Sequence, residues 1–172
     1  MIVLAIDPGP TNSAWVLYDV AQATPLAASI VPNAEMELDL WSNRRVIDGN
    51  WTKPPTHLVI EKVEAMGMSV GVDVFETVYH TGRFANAWDR NNAKAAERIG
   101  RKTVKMHLCQ SMRAKDANIR QAIIDRFGGV GGKETAIGKK ATPGPLFGMK
   151  SHLWAALAVA LTYADTHTKD EE

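Results

Sequence analysis

Two carboxylates in this chain stand where they could do chemistry. Asp7 ends the apolar run Ile2 to Ile6, and Glu61 ends the run Leu58-Val59-Ile60. An acid at the mouth of a buried strand is costly to desolvate unless a cation meets it. A divalent metal ion, or the phosphate such an ion holds, is the natural partner. If both strands are central and adjacent, the two carboxylates lie about one strand spacing apart, ~5 Å. That separation suits one or two hard cations. Two ions ~4 Å apart can hold the attacking and the leaving oxygens of an in-line phosphoryl displacement. A single strand-end acid has a plainer use, as a turn or helix cap. The same plan on two strands is what points to metal-assisted phosphate chemistry.

Positioning these acids requires a sheet. Residues 1–7 and 13–19 read as strands, and the short Pro8-Gly9-Pro10 turn between them implies an antiparallel hairpin. Pro25 to Pro32 reads as an edge strand, because prolines are tolerated at an edge. Residues 34–48 carry apolar side chains at helical spacing (Met36, Leu38, Leu40, Trp41, Val46, Ile47). Lys53-Pro54-Pro55 breaks the chain before a strand over 57–61. A loop rich in Gly and Met follows, then a long helix over 71–97 and a strand over 102–109. Ser111 or Asp116 caps a helix that runs to Phe127. Residues 128–150 hold seven glycines, two prolines and four lysines. A connection of that length is functional or mobile. Ser151 caps an apolar terminal helix, HLWAALAVALTYAD, that must pack on the sheet. No repeat or linker divides the 172 residues. The expected architecture is one α/β domain over 1–172, a mixed five-stranded sheet flanked by helices.

Composition narrows the function classes. No apolar run approaches the ~20 residues that cross a bilayer, and the N-terminus lacks the features of a signal peptide. One cysteine, Cys109, excludes an intramolecular disulfide and a cysteine-based zinc site. A reducing, cytoplasmic setting without membrane partners is the expectation. The net charge is only +1, but it is unevenly spread. Residues 1–82 carry 4 Lys/Arg against 10 Asp/Glu, residues 83–150 carry 15 against 5, and residues 151–172 carry 1 against 4. The middle of the chain can therefore grip a polyanion although the whole is nearly neutral.

Four stretches, AIDPGPTNSAW, VIEKVEAMGM, RAKDANIRQAIIDRFG and SHLWAALAVALTYAD, span most of the chain in this order. Together they resemble the RuvC-type Holliday junction resolvases, particularly the divergent versions of bacteriophages. The resemblance implies an RNase H-like fold and a homodimer. It also implies Mg²⁺- or Mn²⁺-dependent resolution of four-way DNA junctions by paired symmetric nicks, with two ions per active site. It matches Asp7 and Glu61 to the first two catalytic acids. It puts the last two ligands, three residues apart on the final helix, at His152 and Ala155. Imidazole can ligate Mn²⁺ or activate water; alanine ligates nothing. Asp116 and Glu64 are further candidates for that missing donor. Asp165 is not, since thirteen residues of helix place it ~20 Å along the axis from His152.

A junction-cutting enzyme grips phosphates and leaves most bases unread. Arg113, Lys115 and Arg120 bracket a helix start, where backbone N–H groups also favour phosphate. The resemblance makes Lys115 the first choice near the scissile phosphate. Lys133, Lys139 and Lys140 form a basic arm, and Arg83, Arg90, Lys94 and Arg98 could line the long helix. Met66 and Met68 could wedge against exposed bases or pack beneath their own loop. Val74, Phe75, Val78 and Tyr79 are dimer-face or core residues. Three alternatives stand at this level. Ala155 favours a module that binds branched DNA without cutting it. Asp7-Pro8-Gly9-Pro10-Thr11 also fits the phosphate loop of actin-like ATPases, whose two-domain plan needs a chain about twice this length. An RNase H-type enzyme acting on RNA–DNA hybrids is the third.

Overall fold

The computed structural model describes residues 1–42, 54–64, 67 and 70–167. Three strands open the fold: β1 (Ile2–Asp7), β2 (Asn12–Asp19) and β3 (Thr24–Pro32). Short turns force each to run antiparallel to the one before it. α1 (Asn33–Ser42) precedes β4 (His57–Lys62), and α2 (Val72–Asp89) precedes β5 (Glu97–Gly100). Both strands run parallel to β1, as helical crossovers require. The sheet order is β3-β2-β1-β4-β5. The fold is thus α/β with a mixed five-stranded sheet flanked by helices, and the proline-flanked strand lies at its edge.

Strand alternation sorts the core into two layers. Ile2, Leu4, Ile6, Leu58 and Ile60 point to one face, where they pack with Met36 and Leu40 of α1 and Phe84 and Trp88 of α2. Val3, Ala5, Ala14, Val16 and Val59 point to the other. There they meet α3 (Arg101–Cys109), α4 (Asp116–Gly128) and α6 (Leu153–His167). From Ala156 to Ala164 α6 is buried without interruption, as befits a helix that is apolar all round. Among the described residues no helix is long and apolar enough to cross a membrane.

The structure departs from the sequence reading at several elements. Residues 102–109 are not a strand but lie in α3. Val104 is buried and Leu108 packs on the same cluster, a spacing of four that belongs to a helix. The fifth strand is β5, just before it. α2 stops at Asp89 because two asparagines take over its end. The side-chain amides of Asn91 and Asn92 donate to the carbonyls of Ala87 and Trp88. Lys94 and Arg98 consequently lie off that helix, with the Lys94 ammonium 2.7 Å from His57 Nε2. Neither Ser111 nor Asp116 caps α4; Lys115 holds that position, and the Asn118 carboxamide oxygen accepts its N–H. Ser151 and His152 form the turn before α6 rather than its first residues. Residues 43–48, read as the end of the first helix, lie outside the described residues, as do Met66 and Met68.

The glycine-rich stretch is shaped rather than open. A 3₁₀ turn (Gly129–Gly131) leads to α5 (Gly132–Ala136) and a small hairpin, β6 (Gly138–Lys139) with β7 (Thr142–Pro143). Ala136 and Leu146 anchor it in the core, and Leu146 N–H donates to the Ala136 carbonyl at 2.8 Å. Gly144 lies so close to the backbone oxygens of Thr135 and Ala136 that a Cβ would meet them at 2.3 and 2.5 Å. Only glycine fits there.

A buried polar relay holds the β1–β2 turn. Ser13 Oγ donates to Asn33 Oδ1 at 2.7 Å, and Asn33 Nδ2 donates to the Gly9 carbonyl at 2.9 Å. Asn33 N–H also donates to the Thr11 carbonyl. Both side chains are almost fully buried, so removing one leaves the other's polar atom without its partner. Asn33→Ala is therefore expected to cost about 1–3 kcal/mol in urea unfolding; a loss below half of that range would show that the relay does not hold the turn.

Candidate active site

The carboxyl ends of β1, β4 and β5 share one edge of the sheet, where parallel α/β folds commonly place their ligands. Ile6 pairs with Ile60, so Asp7 and Glu61 are the next residues on adjacent strands. Alternation aims both at the face covered by α6, since Ile6 and Ile60 point the other way. The two acids, 54 positions apart in the chain, thus come together. The Ser13–Asn33 relay fixes the turn that leaves Asp7.

Burial and the neighbouring Glu61 charge push the Asp7 carboxyl from 3.8 up to about 7, against the opposing pull of His152 and Arg101. His152 Nδ1 lies 3.0 Å from Asp7 Oδ2, and its ring is 73% exposed while the aspartate is 14% exposed. A largely exposed imidazole therefore stands on a partly buried acid at the rim of the site. A cavity of about 530 Å³ opens here, lined by Asp7, Arg101, Asp116, His152, Trp154 and Ala155 among others.

Glu61 faces a second partner. Arg101, the first residue of α3, places Nη1 2.9 and 3.2 Å from its two carboxylate oxygens. The same guanidinium donates through Nη2 to Asp116. Burial pulls the Arg101 pKa down, but Glu61 and Asp116 more than offset this and hold it above its ordinary value. Glu64 lies on the far side of Arg101, in a neighbouring hollow with Pro8, Glu61 and Lys62. It pairs with Lys62 at 3.3 Å. It does not line the main cavity. Asp165 lies away from this cavity: it joins Arg126 and His107 at the other end of α6.

Among the described residues, no three acidic, histidine or cysteine side chains converge into a ready metal cage. The donor set nevertheless fits one hard divalent cation. Asp7 and Glu61 offer carboxylate oxygens on adjacent strand ends, and their mutual repulsion is what a cation relieves. Ala155 lines the cavity and offers no donor.

Of the basic residues expected at a nucleic-acid surface, Arg113, Lys115 and Arg120 are all exposed beside this cavity's α4 wall. Arg120 stacks its guanidinium 4.8 Å from the centre of the Trp154 ring. Lys139 and Lys140 are exposed on and beside β6, away from the cavity lining. Arg83 pairs with Glu37, and Arg90 lies over Trp41, so both serve the α1–α2 contact. Sequence reasoning missed Arg101, Trp154 and Asn33. The misassigned strand hid Arg101: with β5 located, the residue after Gly100 falls at the same sheet edge as Glu61.

No family model matches this sequence, and no curated protein matches it either. Solved structures do. The Thermus thermophilus RuvC structure superposes with a TM-score of 0.65 at 19% identity, covering 99% of this chain and 97% of that one. T. thermophilus RuvC in complex with a Holliday junction substrate gives 0.62 at 19%, over 95% and 93%. Fowlpox virus resolvase with its substrate Holliday junction DNA gives 0.51 at 15%, over 96% and 98%. At these identities the likeness is one of fold, and the architecture expected from the sequence is the one observed.

The raised Asp7 pKa has a measurable consequence. The folded chain retains a proton that the unfolded chain releases near its ordinary value of 3.8. Stability from this group is complete below about pH 4 and is lost as pH rises through about 7, a swing of up to about 4 kcal/mol. In metal-free buffer the wild-type chain should lose urea resistance across that window relative to Asp7→Asn, and Mg²⁺ should restore it at pH 8. Parallel profiles for the two proteins would contradict this environment for Asp7.

Proposed function

We propose that this chain is a divalent-metal-dependent endonuclease that resolves four-way DNA junctions by paired symmetric nicks, working as a homodimer. One observation carries the reading. Asp7 and Glu61 meet at adjacent parallel strand ends, beside a basic helix start, in a fold shared with RuvC. That protein has been solved with a Holliday junction substrate.

In this reading Asp7 and Glu61 would hold the cation, and a bound Mg²⁺ or Mn²⁺ would supply positive charge against the developing phosphate oxyanion and make water a better nucleophile. His152, exposed and hydrogen-bonded to Asp7, takes the proton of the attacking water. The water oxygen bonds to phosphorus as the P–O3′ bond breaks, and solvent protonates the departing oxygen. The ends are 5′-phosphate and 3′-hydroxyl. Lys115 and Arg113 hold the flanking phosphates, aided by the N-terminus of α4. Arg120 on Trp154, with Lys139 and Lys140, extends this grip along the DNA arms. Asp116 serves the site through Arg101.

Pairing of the nicks needs two copies. α2 presents Val72, Phe75, Val78 and Tyr79 to solvent, each more than half exposed, in one stripe. A two-fold contact along that stripe would give two equivalent sites for the two matching strands of a junction.

A second reading, a binder that does not cut, is favoured by Ala155 and by the engagement of Glu61 with Arg101. One experiment separates the two. Nicking of a synthetic four-way junction is measured in Mg²⁺ and Mn²⁺, and binding is measured in Ca²⁺. Wild type should nick both matching strands. Asp7→Asn and Glu61→Gln should each lose at least about 100-fold in nicking while binding within a few-fold. Junction binding without nicking in either metal would establish the binder, and undiminished nicking by Asp7→Asn would refute the assignment.

A further inference from the structure

We infer that Arg101 is a built-in second cation: its guanidinium, fixed between Glu61 and Asp116, stands in for a second metal ion, so each chain works with one exchangeable divalent cation. The inference rests on the nuclease reading above and names how that site differs from a two-ion design.

Four observations support it. The guanidinium meets both Glu61 oxygens and, through its other terminal nitrogen, Asp116. It thus bridges two carboxylates as a metal would. Arg101 also borders both the main cavity and the neighbouring hollow that contains Glu61, so its charge faces the space where substrate enters. The position is costly by local rules. A cation in the first turn of a helix opposes the helix dipole, and α3 has no acid in its first turn. Residues that break a local rule in this way mark functional sites. Lastly, the charges balance for one ion only. Once Asp7 exchanges its proton for a bound cation, three carboxylates (Asp7, Glu61 and Asp116) and one guanidinium leave two negative charges, which a single divalent cation neutralises. A second ion would enter against the guanidinium, with Ala155 offering it no donor. Coulomb repulsion at such range is strong in a partly buried site.

The geometry gives Arg101 two tasks. It holds Glu61 in one orientation, because a single nitrogen, Nη1, donates to both carboxylate oxygens while Nη2 is tied to Asp116. It also presents a permanent positive charge beside the transferring phosphate, a role that needs no reorganisation when the oxyanion develops.

Mn²⁺ binding to the full chain, alone and with a phosphorothioate-blocked four-way junction, tests this by calorimetry and electron paramagnetic resonance. Wild type should bind one Mn²⁺ per chain. Arg101→Ala should nick about 100-fold more slowly, bind the junction in Ca²⁺ within about threefold, and take up a second Mn²⁺ as Glu61 and Asp116 are released. Arg101→Lys, which keeps the charge if the alanine variant fails to fold, should stay at one ion and recover part of the rate. Two Mn²⁺ per wild-type chain would overturn the inference, as would an alanine variant that nicks within threefold of wild type or still binds one ion. A wild-type chain that neither binds nor nicks the junction would instead sink the nuclease reading itself, whereas one that nicks with two ions sinks only the role given to Arg101.

Discussion

Two negative charges cannot be buried side by side at a sheet edge without a positive charge between or beside them. The neighbourhood of Asp7 and Glu61 is arranged around this constraint. The parallel register of β1 and β4 brings the acids together, and burial under α6 takes away the water that would screen them. Arg101 answers Glu61, and His152 stands on Asp7. What remains is an acid whose proton is held well above its ordinary range. An acid in this state is one that a nearby cation would favour in its ionised form.

The scaffold serves the same end. Small residues on the sheet (Ala5, Ala14) and on α6 (Ala156, Ala158, Ala160) share one tightly buried layer. This lets the helix bring His152 down to the strand ends. The Ser13–Asn33 relay ties the turn after Asp7 to the start of α1. At the opposite end of α6, Asp165 clamps α3 and α4 through His107 and Arg126. α3 begins with Arg101 and α4 with Asp116, so this clamp joins the two helices whose first residues pair at the site. Stability and site geometry are supplied by the same contacts.

Much of the fold could be read from the chain. Proline-bounded apolar runs marked β1 to β4, and the all-apolar terminal helix announced itself. The failures have a common cause. Residues 102–109 mix β-branched and charged side chains in a short run, where strand and helix periods differ by too few positions to separate. Their helical state depends on Val104 and Leu108 finding the α6 layer. Asn91 and Asn92 end α2 with side-chain amides, a stop signal weaker in sequence than glycine or proline. Gly144 was legible only as a loop residue; its contact with the Thr135 and Ala136 carbonyls makes it a packing residue.

By itself the sequence determined which acids lie at strand ends, because an apolar run closed by a carboxylate can be read without knowing its neighbours. It also showed, through the resemblance carried by its terminal helix, that an alanine, Ala155, stands where that resemblance implies a further donor. Only the tertiary structure decided that Arg101 lies against Glu61 and Asp116. Those three residues come from β4, α3 and α4, and their meeting depends on strand order and helix docking. No local spacing encodes it, because charges that interact through space are indifferent to their separation along the chain.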